Sequence, residues 1–212
     1  MEDCILITAF EPNDDGINAS QVVVESLASH LSSPLHSVKC KLTWMTLPGD
    51  TNALQDALYR KITECEPDAC LLVGQAAGRS KVTFERIATN LRDFMVPDRA
   101  GNLESASPII HNGPAAYFSN VDVSSISCAL RERGIPCAPS NYAGNHLCNQ
   151  ALYLTLLYAN TKSQQMGAVF MHVPLLPEQV EARWIDQPTM QLSTLRDAVT
   201  TAILAIERLH IR

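Results

Sequence analysis

The sequence predicts an α/β fold, a three-layer sandwich with a twisted, largely parallel central sheet and helices on both faces. Short apolar runs such as Ile5 to Ala9, Ala69 to Gly74 and Ala168 to Val173 have the length and composition of buried strands. Segments with apolar residues at helical spacing lie between them, and strands alternating with helices build parallel sheets covered on both faces. A chain of 212 residues with 46% hydrophobic and 18% charged residues suits a compact globule with much of its length inside.

Taken in order, Ile5 to Ala9 is a strand that ends in the loop Glu11 to Gly16. Asn18 is placed to cap a helix, with Gln21 three residues later as in a capping box, and Val22, Val23 and Leu27 carry that helix toward Leu31. Val38 to Met45 alternates as a strand does. Thr51 to Cys65 sets Leu54, Ala57, Leu58 and Ile62 at helical spacing, and Ala69 to Gly74 is a buried strand closed by glycine. Val82 to Leu91 is rich in β-formers but partly polar, which predicts a less buried hairpin or edge element. Residues 93–122 are the least regular part, interrupted by Pro97, Gly101, Pro108, Gly113 and Pro114. Ser124 to Arg133 reads as a helix stopped by Gly134, Ile135 to Ser140 as a short strand, and Leu147 to Tyr158 as a strongly apolar helix. Ala168 to Val173 is another buried strand, and Thr194 to Arg212 a final amphipathic helix. No repeat or linker divides residues 1–212, so one domain is expected.

The net charge of −6 comes without a basic stripe, which argues against nucleic acid as a partner. The N-terminus lacks the basic region of a secretory signal, and no window approaches the ~18 apolar residues of a membrane span. A soluble, cytoplasmic protein with no membrane partner is expected. Seven cysteines at irregular spacing, without a CxxC, suggest reduced thiols, most of them small core residues. No short ligand pair of the HExxH or CxxC kind occurs, so neither a metal nor another cofactor is expected.

Cys148 differs from the other six cysteines in its setting. It follows the loop Ala143-Gly144-Asn145-His146 at the start of a helix, with Asn145 as the expected N-cap and Cys148 near the third helical position. Free N–H groups and the helix dipole there favour negative charge, which would lower the thiol pKa and could supply an oxyanion hole. The bland reading is a buried helix cysteine. A thiol nucleophile needs a base, and His146 and His172 are the candidates. Residues two apart on a helix do not face each other, which counts against His146. His172 ends a buried strand, where an α/β sheet presents side chains to its crevice, although a hydrogen-bonded core histidine would look the same. Glu85, between Phe84 and Arg86, could orient that imidazole, or could instead pair with Arg79 or Arg86. The loop Gly74 to Arg79 lacks the GxGxxG and GK[ST] of nucleotide sites, and no GxSxG is present.

Together these segments resemble the pyroglutamyl peptidase I, or pyrrolidone-carboxylate peptidase, family. Ile7 to Pro12 is similar to the family's TGFEPFGG entrance. Gly74-Gln75 through Arg79 resembles GQAGGR, and Phe84 to Asn90 resembles PERVAIN. Pro97 to Asn102 looks like PDNAGN, and Gly113 to Ser119 like GPAAYFST. Ser140 to Gly144 with Cys148-Asn149 resembles SNTAGTxxCN, and Met171 to Pro174 with Leu176 to Gln179 resembles FIHVP and LPEQ. The resemblance implies a Glu85–Cys148–His172 triad that removes an N-terminal pyroglutamyl residue from peptides, without metal, in a homotetramer of α/β subunits. It also implies a lactam slot walled in part from the positions of Asn13 and His146; an uncharged lactam needs an apolar, partly aromatic slot with a few hydrogen-bonding groups, for which Phe10 could supply a ring wall and Gln75 an amide, unless Gln75 is a plain loop residue. Three departures bear on that slot: Asn13-Asp14-Asp15 replaces an aromatic and two glycines, His146 replaces an aromatic, and Tyr142 replaces a small residue. Two other readings remain: a cysteine hydrolase acting on a different small N-terminal acyl or cyclic group, and a non-catalytic binding module.

Overall fold

Three strands with every residue but one buried form the middle of the sheet: β1 (Cys4–Phe10), β3 (Ala69–Gln75) and β8 (Gly167–Val173). Continuous apolar runs of this kind belong to parallel strands covered on both faces. The computed structural model describes residues 3–12, 16–29, 34–161, 166–180 and 186–211. The remaining strands are β2 (Lys41–Leu47), β4 (Val82–Glu85), β5 (Ile87–Thr89), β6 (Ala116–Phe118) and β7 (Cys137–Ser140). The helices are α1 (Ala19–Ser29), α2 (Thr51–Cys65), α3 (Val123–Glu132), α4 (Leu147–Thr161), the single turn α5 (Pro177–Val180) and α6 (Leu192–His210).

Among the described residues, six strands form one sheet in the order β2-β1-β3-β8-β4-β7, and β5 pairs with β6 in a separate ribbon. Every neighbour pair in the large sheet is parallel except β4 with β8. One face carries Ile5, Ile7, Leu71, Val73, Val169 and Met171 against α1, α3 and α6. The other carries Leu6, Phe10, Cys70, Leu72 and Phe170 against α2 and α4. The expected sandwich with a largely parallel sheet is the observed one. The chain leaves β1 to β2 on one side and to β3 on the other, so the ends of β1 and β3 form a switch point, where such sheets open a crevice. Among the described residues, no helix is long and apolar enough to cross a membrane.

Helix ends follow local chemistry. Asn18 caps α1 by accepting the Ser20 N–H at 3.0 Å, but Gln21 does not return the bond; its amide goes to Glu25 at 2.8 Å. Asp50 caps α2 and Asp122 caps α3. The second strand starts at Lys41 rather than Val38, after a short turn of 3₁₀ helix at Pro34–Ser37. The main correction concerns Val82 to Leu91. Its first half is β4, buried throughout inside the large sheet, and its second half is β5 in the ribbon. The polar letters that suggested an edge, Thr83 and Glu85, are buried because they bond to one another and to side chains from elsewhere. The true edge on that side is β7, which tolerates Pro139 for that reason.

Candidate active site

Strand register brings the charged groups together. Across β8 and β4, His172 pairs with Thr83 and Phe170 with Glu85. Side chains two apart on a strand share a face, so His172, Phe170, Thr83 and Glu85 all point to the α4 side. There Nδ1 of His172 lies 2.8 Å from Oε1 of Glu85. Glu85 is fully buried and His172 nearly so. Arg79, in the loop after β3, donates to the same Oε1 at 2.6 Å, to Thr83 Oγ1, and to the carbonyl of Tyr142 at 2.9 Å. The second carboxylate oxygen, Oε2, has no hydrogen-bond partner among the described residues.

The electrostatics fix the resting protonation. Burial alone would raise Glu85, but the His172 hydrogen bond and charge, the Ser140 hydroxyl and the Arg79 charge outweigh it and hold the carboxyl below its ordinary range. Burial pushes His172 down, and the opposing pull of Glu85 does not reverse it. An ionised carboxylate only accepts, so Nδ1 carries the proton, and a neutral ring keeps a lone pair on Nε2. This is the tautomer of a general base.

Cys148 sits at the second position of α4, one place earlier than expected, because the first helical bond runs from the Gln150 N–H to the His146 carbonyl at 3.1 Å. The N-cap residue is therefore His146, and Asn145 lies before it. The chain enters the helix through Gly144, whose φ of 83° suits glycine. Cys148 packs over Gly74, the β3 residue that pairs with His172. A β-carbon on Gly74 would stand 3.0 Å from Cys148 Sγ and 2.6 Å from Cζ of Phe170. The thiol is not lowered as its helix position suggested. Burial first, and then the charge of Glu85, push it up to about 12, against a smaller opposing pull from Arg79. The resting pair is thus a neutral thiol and a neutral imidazole.

The pocket positions divide. Phe10 ends β1 on the site face, its ring 6.3 Å from Phe170, which in turn lies 4.6 Å from His172. Gln75 faces elsewhere: its Oε1 accepts from the Ala19 N–H at 2.7 Å and from Gln179 at 2.8 Å, so its carbonyl oxygen is committed to the start of α1. His146 stacks on Phe94 with ring centroids 4.0 Å apart, and its Nε2–H donates to the Val96 carbonyl at 3.3 Å. Tyr142 is 61% exposed, and only its carbonyl bonds into the site, through Arg79. Asn13, with Asp14 and Asp15, lies outside the described residues. Among the described residues, no group of three or more His, Cys, Asp or Glu side chains is placed to hold a metal ion.

The sequence matches the Pyroglutamyl peptidase family over residues 3–209. The chain belongs to the pyroglutamyl peptidase family. It is 38% identical over 192 residues to the pyrrolidone-carboxylate peptidase of Vibrio vulnificus, covering 90% of this chain and 86% of the relative. It is 35% identical over 200 residues to that of Brevibacillus brevis, covering 94% and 90%. Among solved structures, a mutant pyrrolidone carboxyl peptidase from Pyrococcus furiosus superposes with a TM-score of 0.88 at 32% identity, over 95% of this chain and 97% of the other. Pyroglutamyl peptidase I from Bacillus amyloliquefaciens gives 0.89 at 27%, over 100% and 97%.

Sequence reasoning missed three residues packed around these groups. Phe94 lay in the stretch read as irregular, yet it is buried and packs its ring against that of His146. Gly74 was read as a strand terminator; a glycine inside a buried strand also signals close approach, and here Cys148 and Phe170 make it. Arg79 was treated as a rival explanation of Glu85 when it is a simultaneous partner.

Proposed function

We propose that the chain hydrolyses the bond after an N-terminal pyroglutamyl residue, with Cys148 as nucleophile, His172 as general base and acid, and Glu85 as the carboxylate that orients His172. The carrying observation is the buried Glu85–His172 hydrogen bond of 2.8 Å beside a cysteine packed on Gly74, in a chain of this family. Because thiol and imidazole rest neutral, proton transfer to Nε2 accompanies attack rather than preceding it. The sulfur adds to the pyroglutamyl carbonyl, and free N–H groups in the first turn of α4 are the donors available to the oxyanion. Collapse expels the peptide amine, which takes the proton from His172, and leaves a thioester. Water, deprotonated by His172, then attacks the thioester and releases pyroglutamate and the thiol. Phe10 walls the lactam, and the Phe94–His146 stack supports a second wall.

The names of the relatives favour this substrate over another cyclic acyl group or a binding role. We further propose a single catalytic domain acting as a homotetramer in the cytoplasm. Exposed Met95, Val96, Leu103 and Phe118 support an oligomer, and the seven free cysteines suit a reducing compartment. The deciding assay is release of naphthylamine from a pyroglutamyl-naphthylamide under reducing conditions. Turnover by the wild type and none by Cys148→Ser is expected; no turnover by fresh, reduced wild-type protein would sink the substrate assignment.

A further inference from the structure

Glu85 is a carboxylate with no solvent exposure, held below its ordinary range against burial by His172 first, then by the Ser140 hydroxyl and the Arg79 charge. Among the described residues, the groups that face it are His172 from β8, Thr83 from its own strand, Ser140 from β7, Cys148 from α4 and Arg79 from the loop after β3. Of these, Arg79 alone carries a permanent charge. The neighbouring Arg86 turns away and donates to Asn141 Oδ1 at 2.7 Å. Arg79 also does something a lone counter-ion would not. One guanidinium nitrogen holds Glu85 and Thr83 while the other holds the Tyr142 carbonyl, in the loop that leads through Gly144 to Cys148. A planar fork spans both; an ammonium is a single point.

We propose that Arg79 is a positioning residue for this reaction: it keeps Glu85 ionised, so that His172 holds the productive tautomer, and it ties that carboxylate to the loop that delivers the nucleophile. This rests on the peptidase reading above. The tautomer argument is specific. Oε1 of Glu85 is the oxygen that faces Nδ1, at 2.8 Å, so a proton gained there reverses the direction of that bond. A protonated carboxyl can donate to Nδ1, and the ring proton then moves to Nε2, where it blocks uptake of the thiol proton. Wrong-tautomer losses at a serine triad are on the order of 10⁴-fold. The sign is independent of where the proton sits. Arg79 opposes protonation of both Glu85 and His172, so removing it raises the proton affinity of the coupled pair.

The test compares Arg79→Met and Arg79→Lys with the wild type, measuring kcat and KM for pyroglutamyl-naphthylamide across acid, neutral and alkaline pH. The rate of Cys148 alkylation by iodoacetamide is followed in parallel. For Arg79→Met, the acid limb of kcat/KM and of alkylation moves up by at least about one pH unit, the lower end of what a close opposite charge exerts. For Arg79→Lys, the limb stays in place while kcat falls, by up to about a hundredfold for a displacement near 1 Å, and KM is unchanged. A limb unmoved in Arg79→Met, a limb moved equally in both, or full kcat in Arg79→Lys would overturn the proposal. If Arg79→Met does not fold by circular dichroism, Arg79→Lys decides alone by the same criteria. Alkylation needs no substrate, so failure of the peptidase reading, seen as no wild-type turnover, is distinct from failure of the Arg79 role.

Discussion

Gly74→Ala is the smallest change that should disable the site. The added carbon would lie 2.6 and 2.9 Å from two ring atoms of Phe170 and 3.0 Å from Cys148 Sγ. Carbon pairs rest at about 3.5–4.0 Å, so roughly 1 Å must be found. Phe170 cannot supply it freely: its ring is fully buried, between Phe10 at 6.3 Å and His172 at 4.6 Å. If the ring turns, it pushes on the imidazole; if it holds, the thiol is displaced. Overpacking of this kind costs about 1–3 kcal/mol of stability. A nucleophile misplaced by about 1 Å loses about 10²-fold in kcat. Urea denaturation and steady-state kinetics on pyroglutamyl-naphthylamide would read the two effects separately. Because the added methyl touches the thiol and the ring beside the base, kcat should fall by far more than stability alone explains. A Gly74→Ala protein that is destabilised yet retains wild-type kcat would refute the claim that Cys148 works from its position over Gly74.

Glu85→Gln should lower kcat by about 10²–10⁴-fold with little change in KM, since it removes orientation and charge without touching substrate; a loss confined to KM would contradict the role. Asn149→Ala should cost about 1–3 kcal/mol in urea denaturation. The buried Asn149 amide bonds Thr89 N–H and carbonyl at 2.9 Å and the Leu91 carbonyl at 3.0 Å, and alanine leaves them unpaired. His146→Phe should retain kcat and lower KM, because the ring can keep the Phe94 stack while giving up one long hydrogen bond of 3.3 Å. Melting temperature should fall on both sides of neutrality. On the alkaline side, Cys40 and Cys148 are raised by burial to about 12 and Cys65 to about 11, so the folded state holds protons that the unfolded thiols release from about pH 8.5 upward. On the acid side, His172 and His146 are lowered by burial, so the unfolded state binds more protons below about pH 6.5. Glu85 adds a further loss as pH falls through its lowered folded value. A melting temperature flat across this range would show that these groups are not buried in solution.

What could be read from the sequence depended on whether the signal was local. The runs at Ile5, Ala69 and Ala168 specify buried strands because every residue in them must avoid water, and the structure buries them. Val82 to Glu85 was misread because its polar letters are satisfied by His172, far along the chain, and by Arg79, which the preceding loop folds back onto them. No periodicity encodes such partners. The helix start at Cys148 was legible, but its effect on the thiol was not. Dipole and free N–H groups lower a thiol only where it stays solvated, and here burial and Glu85 outweigh them. Gln75 failed for a similar reason: an amide at a strand end looks available until α1 and Gln179 claim its oxygen.

The reversal of one strand explains why these groups meet. In a wholly parallel sheet, the strand beside β8 would point its carboxyl end the same way as His172. Because β4 runs antiparallel, its second residue lies opposite His172 and its last lies opposite Phe170, one step deeper on the same face. Glu85 therefore meets the imidazole at Nδ1 from the buried side of the strand pair. The same reversal puts Glu85 beside Ser140 of β7, after which the chain turns through Tyr142 and Gly144 into the helix that begins at Cys148. His172, Glu85 and the entry to the helix of Cys148 are thus consecutive across three neighbouring strands. Arg79 closes that arrangement by bonding the middle strand to the final loop. Changes that shift β4 by a single residue would turn Glu85 to the opposite face and remove it from His172 altogether.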